Sequence, residues 1–182
     1  MENRSDEQLM TAFGKGEQSA FAILYQRHKD PLYRYFVRQL NSSQRSHADE
    51  LFQDVWFRIV DKRDSYIPSA KFTTWLYQIA HNLIVDEFRK NMSRQAHSLQ
   101  AESEPFENLD DSLELKKTAL KHCLSLLAPL QREAFLLRYD SGFEPVQICQ
   151  IVGAKSEAIK TRLRYALEQL RQCLTRKLGE RE

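Results

Sequence analysis

The chain has 182 residues, room for one domain or two small ones, and 42% of them are hydrophobic, enough for a buried core. Lys and Arg number 27 against 25 for Asp and Glu, so a net charge of +2 leaves the choice of partner to local charge distribution. No apolar run approaches the ~18 residues a bilayer span needs, and the opening MENRSDEQLM is too polar for a secretory signal; a soluble, cytoplasmic protein without membrane insertion is expected.

Glycine and proline number only five each, and the segments between them carry helical rather than alternating periodicity, which predicts an all-α protein. A first helix starts after Ser5, whose hydroxyl can cap it, and ends near Gly14 or Gly16. A second runs from about Ser19 through Phe21, Leu24, Tyr25, Leu32, Phe36 and Leu40, with Pro31 expected to kink it. A third, from about Ser46 to Arg63, buries Leu51, Val55, Ile59 and Phe52. Its Asp49, Glu50 and Asp54 lie beside Arg45 and Arg58, and read as a solvated or partner-binding face rather than an acid/base pair. The loop SYIPSAK then breaks the pattern.

The next segment, KFTTWLYQIAHNLIVDEFRK, is the most informative. Phe72, Leu76, Ile79, Ala80, Leu83 and Phe88 recur at the three-and-four spacing of a buried helical face. The other face presents Thr74, Tyr77, Gln78, His81, Asn82, Asp86 and Arg89, with Trp75 at the boundary and Lys71, Lys90 and Arg94 flanking. Rings stack on unpaired bases, amides read base edges and cations meet phosphates, so this face suits single-stranded nucleic acid. An ordinary amphipathic core helix, with Trp75 and Tyr77 simply packed, is the competing reading. These elements make a first domain over residues 1–94.

Residues 95–114 hold Glu102, Glu104, Glu107, Asp110, Asp111 and Glu114 with no Lys or Arg, and read as a flexible acidic linker. The second domain, residues 115–182, has four predicted helices: Leu115 to Leu127, Leu130 to Tyr139, Pro145 to Val152, and Ser156 to about Leu178. Between the last two lies VGAK, a glycine-bearing turn, followed by a basic helix; this is the helix-turn-helix arrangement. Ile148, Ile151, Val152, Ile159, Leu163 and Ala166 form its packing seam, while Lys155, Ser156, Glu157, Lys160, Thr161 and Arg164 face outward. Such a helix can enter a DNA major groove, although a basic helical face is also common as plain solvated surface.

Cys123, Cys149 and Cys173 are odd in number and widely spaced within apolar helical patterns, which predicts reduced, mostly buried thiols. His28, His47, His81, His97 and His122 are scattered and show no metal-ligand spacing. With no glycine-rich phosphate loop either, no enzyme activity, metal or cofactor is expected.

In order along the chain, HADELFQDVWFRIV, FTTWLYQIAHNLIVDEFRK, LLAPLQREAFLLRY and VQICQIVGAKSEAIKTRLRYALEQLR resemble the extracytoplasmic-function group of the bacterial sigma-seventy family. That resemblance implies a first domain that binds core RNA polymerase and opens the minus-ten element, and a second that reads the minus-thirty-five element. It would put Glu50, Gln53, Asp54, Phe57 and Arg58 on polymerase. Lys71, Phe72, Thr74, Trp75, Tyr77, Gln78, Asn82 and Arg89 would meet minus-ten DNA, with the Tyr66 to Lys71 loop, Phe72 and Asn82 pocketing a flipped base. Lys155, Ser156, Lys160, Thr161, Arg162 and Arg164 would meet the upstream duplex. It also implies promoter DNA and an anti-sigma protein as partners, and places the acidic linker near polymerase channels.

Two departures stand out. GFEPVQIC puts Glu144 where the family has a serine cap, and Lys155 precedes Ser156 where a serine often caps the recognition helix, which leaves its register open by a residue. A free-standing helix-turn-helix regulator, or a helical polymerase-binding module without nucleic acid, are the alternatives to a sigma factor.

Overall fold

The computed structural model describes residues 3–40, 44–95 and 112–179. Among them are eight α-helices: α1 (Asp6–Gly14), α2 (Gln18–Gln39), α3 (Arg45–Asp61), α4 (Phe72–Gln95), α5 (Ser112–Ser125), α6 (Pro129–Tyr139), α7 (Pro145–Val152) and α8 (Ser156–Gly179). The acidic stretch read as a linker lies mostly outside the described residues, but its end does not. Ser112 to Glu114 already belong to α5, where Glu114 sits in the first turn and meets Lys117 at 2.6 Å, a favourable charge order at a helix start.

Local chemistry explains the helix ends. Ser5 Oγ accepts from the Gln8 N–H at 3.2 Å while Gln8 Oε1 accepts from the Ser5 N–H at 2.9 Å, a reciprocal cap for α1. Gly14 closes that helix against the turn Arg63–Ser65: a Cβ there would stand 3.0 Å from the Arg63 carbonyl oxygen. α2 continues through Pro31 without a break in helical structure. The Glu7 carboxylate accepts the Phe72 N–H at 2.9 Å and so ties α1 to the first turn of α4.

α1 to α4 pack as one unit around Leu9, Leu24, Phe36, Ile59, Leu76 and Ile84, all fully buried. Aromatic rings fill the space between α2 and α3, with Trp56 5.0 Å from Tyr25 and 5.8 Å from Phe21 in edge-to-face arrangements. Asp6 on α1 meets both Arg27 and His28 on α2, and the His28 hydrogen bond holds its carboxyl below the usual carboxylate range.

α5 to α8 form the second unit, with a cluster of Cys123, Leu124, Leu127, Leu136, Ala166 and Leu170. Here the expected free thiols are overturned: Cys123 and Cys173 form a disulfide, leaving Cys149 free. α5 packs along α8 and brings two cysteines 50 residues apart to a Cα separation of 5.8 Å. No local spacing signals a pairing made by helix packing.

Candidate nucleic-acid and polymerase interfaces

Gly153 ends α7 in the left-handed conformation, φ 66° and ψ 33°, where its N–H donates to the Cys149 carbonyl at 2.9 Å. The next helix has its register fixed by Ile159, whose N–H donates to the Lys155 carbonyl at 3.2 Å. Lys155 thus stands at the cap position and Ser156 opens α8. Upstream, the lack of a serine before α7 is offset by Gln147, whose Oε1 accepts the Glu144 N–H at 2.9 Å, and by Pro145 in the first turn.

Lys155, Ser156, Glu157, Lys160, Thr161 and Arg164 are all exposed, over the buried seam residues Ile148, Ile151, Ile159 and Ala166. Arg162 stands apart: at 100° per residue it falls on the flank of α8, and it is half-buried. Glu157 Oε1 meets Lys160 Nζ at 3.1 Å, so the carboxylate moderates the cationic face.

On α3, Glu50, Gln53, Asp54, Phe57 and Arg58 are exposed together, while Leu51, Val55, Trp56 and Ile59 turn inward. Phe57 is 65% exposed, an aromatic ring left in water amid charges. Such a ring bordered by charged groups has the character of a protein-contact anchor.

α4 divides its expected base-facing residues into three groups. Lys71, Trp75, Gln78, Asn82 and Arg89 share one side of the helix by their spacing; of these Lys71, Asn82 and Arg89 are exposed, and Trp75 and Gln78 are half-buried. Phe72 and Thr74, expected to face DNA, are instead in the interior at 0% and 4% exposure. Phe72 therefore does not line an open pocket with Asn82; its ring backs Tyr66 at 6.3 Å and Trp75 at 6.2 Å, supporting the loop from beneath. Tyr77 and His81 form the third group, buried at 4% and 8% because the second unit covers them. Helical periodicity marks their face as polar, but it cannot announce a neighbour that lies far off in sequence.

The loop before α4 is closed by Tyr66, whose hydroxyl donates to the Ala70 carbonyl at 3.1 Å and whose ring lies 5.0 Å from Trp75. Burial, with Glu7 and Asp6 nearby, pushes the Tyr66 phenol up to about 12, so it stays a protonated donor at neutral pH. Pro68 of this loop and α1 residues Glu7, Thr11 and Lys15 border a shallow cleft of ≈ 400 Å³.

Glu133 escapes the sequence reading. It is 3% exposed on α6, and its Oε1 accepts from the Tyr35 hydroxyl and pairs with His81 Nδ1, both at 2.6 Å. The available signal is a carboxylate set in the apolar stripe of Leu130, Ala134 and Leu137.

Each of the two helical units matches a known family model. The family model described as Sigma-70 region 2 matches residues 24–94, and that described as Sigma-70, region 4 matches residues 117–170. The chain is 31% identical to the ECF RNA polymerase sigma factor SigW of Bacillus subtilis, covering 88% of this chain and 91% of that one. Against the ECF RNA polymerase sigma factor SigK of Mycobacterium sp. (strain KMS) it is 28% identical, covering 91% and 89%. Among solved structures, the sigma factor RpoE of Bartonella quintana, in complex with the anti-sigma factor NepR, superposes with a TM-score of 0.68 at 26% identity, covering 84% of this chain and 96% of that one. With both regions matched in order along the same chain, this protein belongs to the extracytoplasmic-function group of the sigma-70 family.

Proposed function

We propose that this sigma factor binds core RNA polymerase through the exposed face of α3, reads the minus-thirty-five duplex with the first turns of α8, and holds melted minus-ten bases on the stripe of α4 that carries Lys71, Trp75 and Asn82. The observation that carries the reading is the coexistence, on one chain with both sigma regions, of three exposed faces of different chemistry. Phe57 among charges suits a protein partner. Lys155, Ser156, Lys160, Thr161 and Arg164 suit duplex phosphates and base edges. The indole and amide of α4 suit unpaired bases, with Lys71 and Arg89 placed for phosphates.

Nothing in this role requires covalent chemistry: positioning and binding energy suffice to favour an open base pair. Its place of action is the cytoplasm, where polymerase and promoter meet; among the described residues no helix is long and apolar enough to cross a membrane. The neighbour RpoE was solved with an anti-sigma factor, and we extend that kind of partner to this chain. A free-standing regulator is set aside, since residues 24–94 match a sigma region that such a protein has no use for.

The experiment is co-elution of the purified chain with sigma-free bacterial core polymerase, followed by transcription from a promoter library. A stable complex that initiates selectively supports the reading. Absence of a complex with active core enzyme refutes it.

A further inference from the structure

The two helical units share a continuous apolar seam, in which Leu137, Phe143 and Ile148 of the second join Leu76, Tyr77 and Ala80 of α4 in one buried cluster. The second unit also has its separate cluster around Leu124, Leu136 and Leu170, bridged by Cys123 and Cys173. It can therefore part from the first while keeping a core of its own.

At the middle of this seam lies Glu133. A carboxylate withdrawn from water is tolerated where donors replace its hydration, and Tyr35 on α2 and His81 on α4, which hydrogen-bond Glu133, belong to the other unit. Around the rim, Asp140 at the end of α6 pairs with Arg34 and Arg38 of α2, and Gln78 Nε2 donates to the Gln150 carbonyl at 2.9 Å. The seam is thus made of specific, mutually satisfied polar contacts around an apolar centre.

Its position has a functional consequence. Gln78 belongs to the base-facing stripe of α4, and Tyr77 and His81 to its flank; all three are engaged by the second unit. The faces of α3 and α8 remain exposed. In this arrangement α4 and α7 touch, whereas promoter elements centred some 25 base pairs apart lie roughly 80 Å apart on a duplex that rises about 3.4 Å per pair. A closed chain cannot occupy both.

We propose that Glu133 is the latch of an autoinhibitory contact between the two units: the free chain rests closed, with the flank of α4 covered, and becomes competent for melted DNA when Glu133 leaves Tyr35 and His81. This rests on the reading of α4 as the minus-ten face.

The test uses the full chain without polymerase. Glu133→Lys sets an ammonium against His81 in the closed form but adds only a surface lysine to α6 in the open one. Asp140→Lys does the same against Arg34 and Arg38, and carries the test by itself if the first variant fails to fold. Small-angle X-ray scattering reads separation of the units, and fluorescence anisotropy of a labelled random-sequence single-stranded DNA pool reads access to α4. Both variants are expected to show a larger radius of gyration. If nine-tenths of wild-type molecules are closed, opening tightens apparent DNA affinity about tenfold. An unchanged radius in a variant that still melts cooperatively overturns the latch; a larger radius with unchanged DNA binding overturns the inhibition. Failure of the minus-ten reading shows up separately, as undiminished promoter opening by a holoenzyme carrying Asn82→Ala, and leaves the scattering result standing.

Discussion

Tyr77 and Phe143 meet edge to face across the seam between the two units, ring centroids 4.9 Å apart and planes at 71°. Burial pushes the Tyr77 phenol up to about 12, and burial with the Glu133 carboxylate pushes the Tyr35 phenol well above its usual 10. Both groups are acids whose neutral form the packed state favours. Their contribution is therefore fully present below about pH 10, the value of an unpacked tyrosine, and is lost as pH rises through their packed values. For Tyr77 the gap between 10 and about 12 corresponds to roughly 3 kcal/mol. The seam is expected to loosen between pH 10 and 12, with tyrosinate absorbance and radius of gyration rising together. Ionisation of both tyrosines near pH 10 with no change in dimensions would contradict this.

What the sequence made legible was local. The Ser5 cap, the apolar spacing of Leu51, Val55 and Ile59, and Gly153 between two apolar runs each act within a turn or two of helix, and each is found as read. What it concealed depends on separation. Cys123 and Cys173 stand 50 residues apart, and Tyr35, His81 and Glu133 come from three helices spread over nearly a hundred positions. Helical spacing sets Tyr77 and His81 on the polar face of α4, with a packed Tyr77 as the competing reading; the second unit that covers them leaves no mark on the period of α4 itself. The exposed part of the candidate site was legible for the complementary reason, since Asn82, Lys160 and Phe57 have no distant neighbour to hide them.

On α3, Phe57→Ala is expected to weaken binding to core polymerase by about 2 kcal/mol, roughly thirtyfold, if its ring is a central anchor. The ring is 65% exposed, so its removal should change folding stability by no more than about 0.5 kcal/mol. Competition against a labelled wild-type chain for core enzyme measures the first, and thermal melting the second. A large loss of stability with unchanged affinity would mark Phe57 as structural.

Trp75 and Asn82 differ in a way that alanine substitution should expose. Asn82 is exposed, so Asn82→Ala should leave melting unaltered while reducing promoter opening roughly five- to 150-fold, given about 1 to 3 kcal/mol for a lost amide contact to a base edge. Trp75 is half-buried against Tyr66 at 5.0 Å and Phe72 at 6.2 Å, so Trp75→Ala should reduce opening and also destabilise the fold by about 1 to 3 kcal/mol. Permanganate footprinting of the holoenzyme reads opening, and co-elution with core reads polymerase binding, which both variants should retain. Equal loss of both activities in Asn82→Ala would assign it to the polymerase surface or the core instead.

The Cys123–Cys173 bridge closes a loop of about 50 residues, and in the chain-entropy account such a loop restrains the unfolded state by roughly 4 kcal/mol. Cys123 is 1% exposed within the cluster formed by Leu124, Leu136 and Leu170, so the reduced thiol remains buried and the helices keep their packing. Reduction should therefore lower the melting temperature of the second unit without abolishing its helical structure, and Cys173→Ser should reproduce the shift. Cys149→Ser should not, because that thiol takes no part in the bridge. Differential scanning calorimetry with and without a membrane-permeant phosphine reductant measures the shift. Alkylation of the protein in denaturant without reductant, followed by mass spectrometry, counts the free thiols, with one, Cys149, expected to react. Three alkylated cysteines and a melting temperature indifferent to reductant would show that α5 and α8 are held together by their apolar contacts alone.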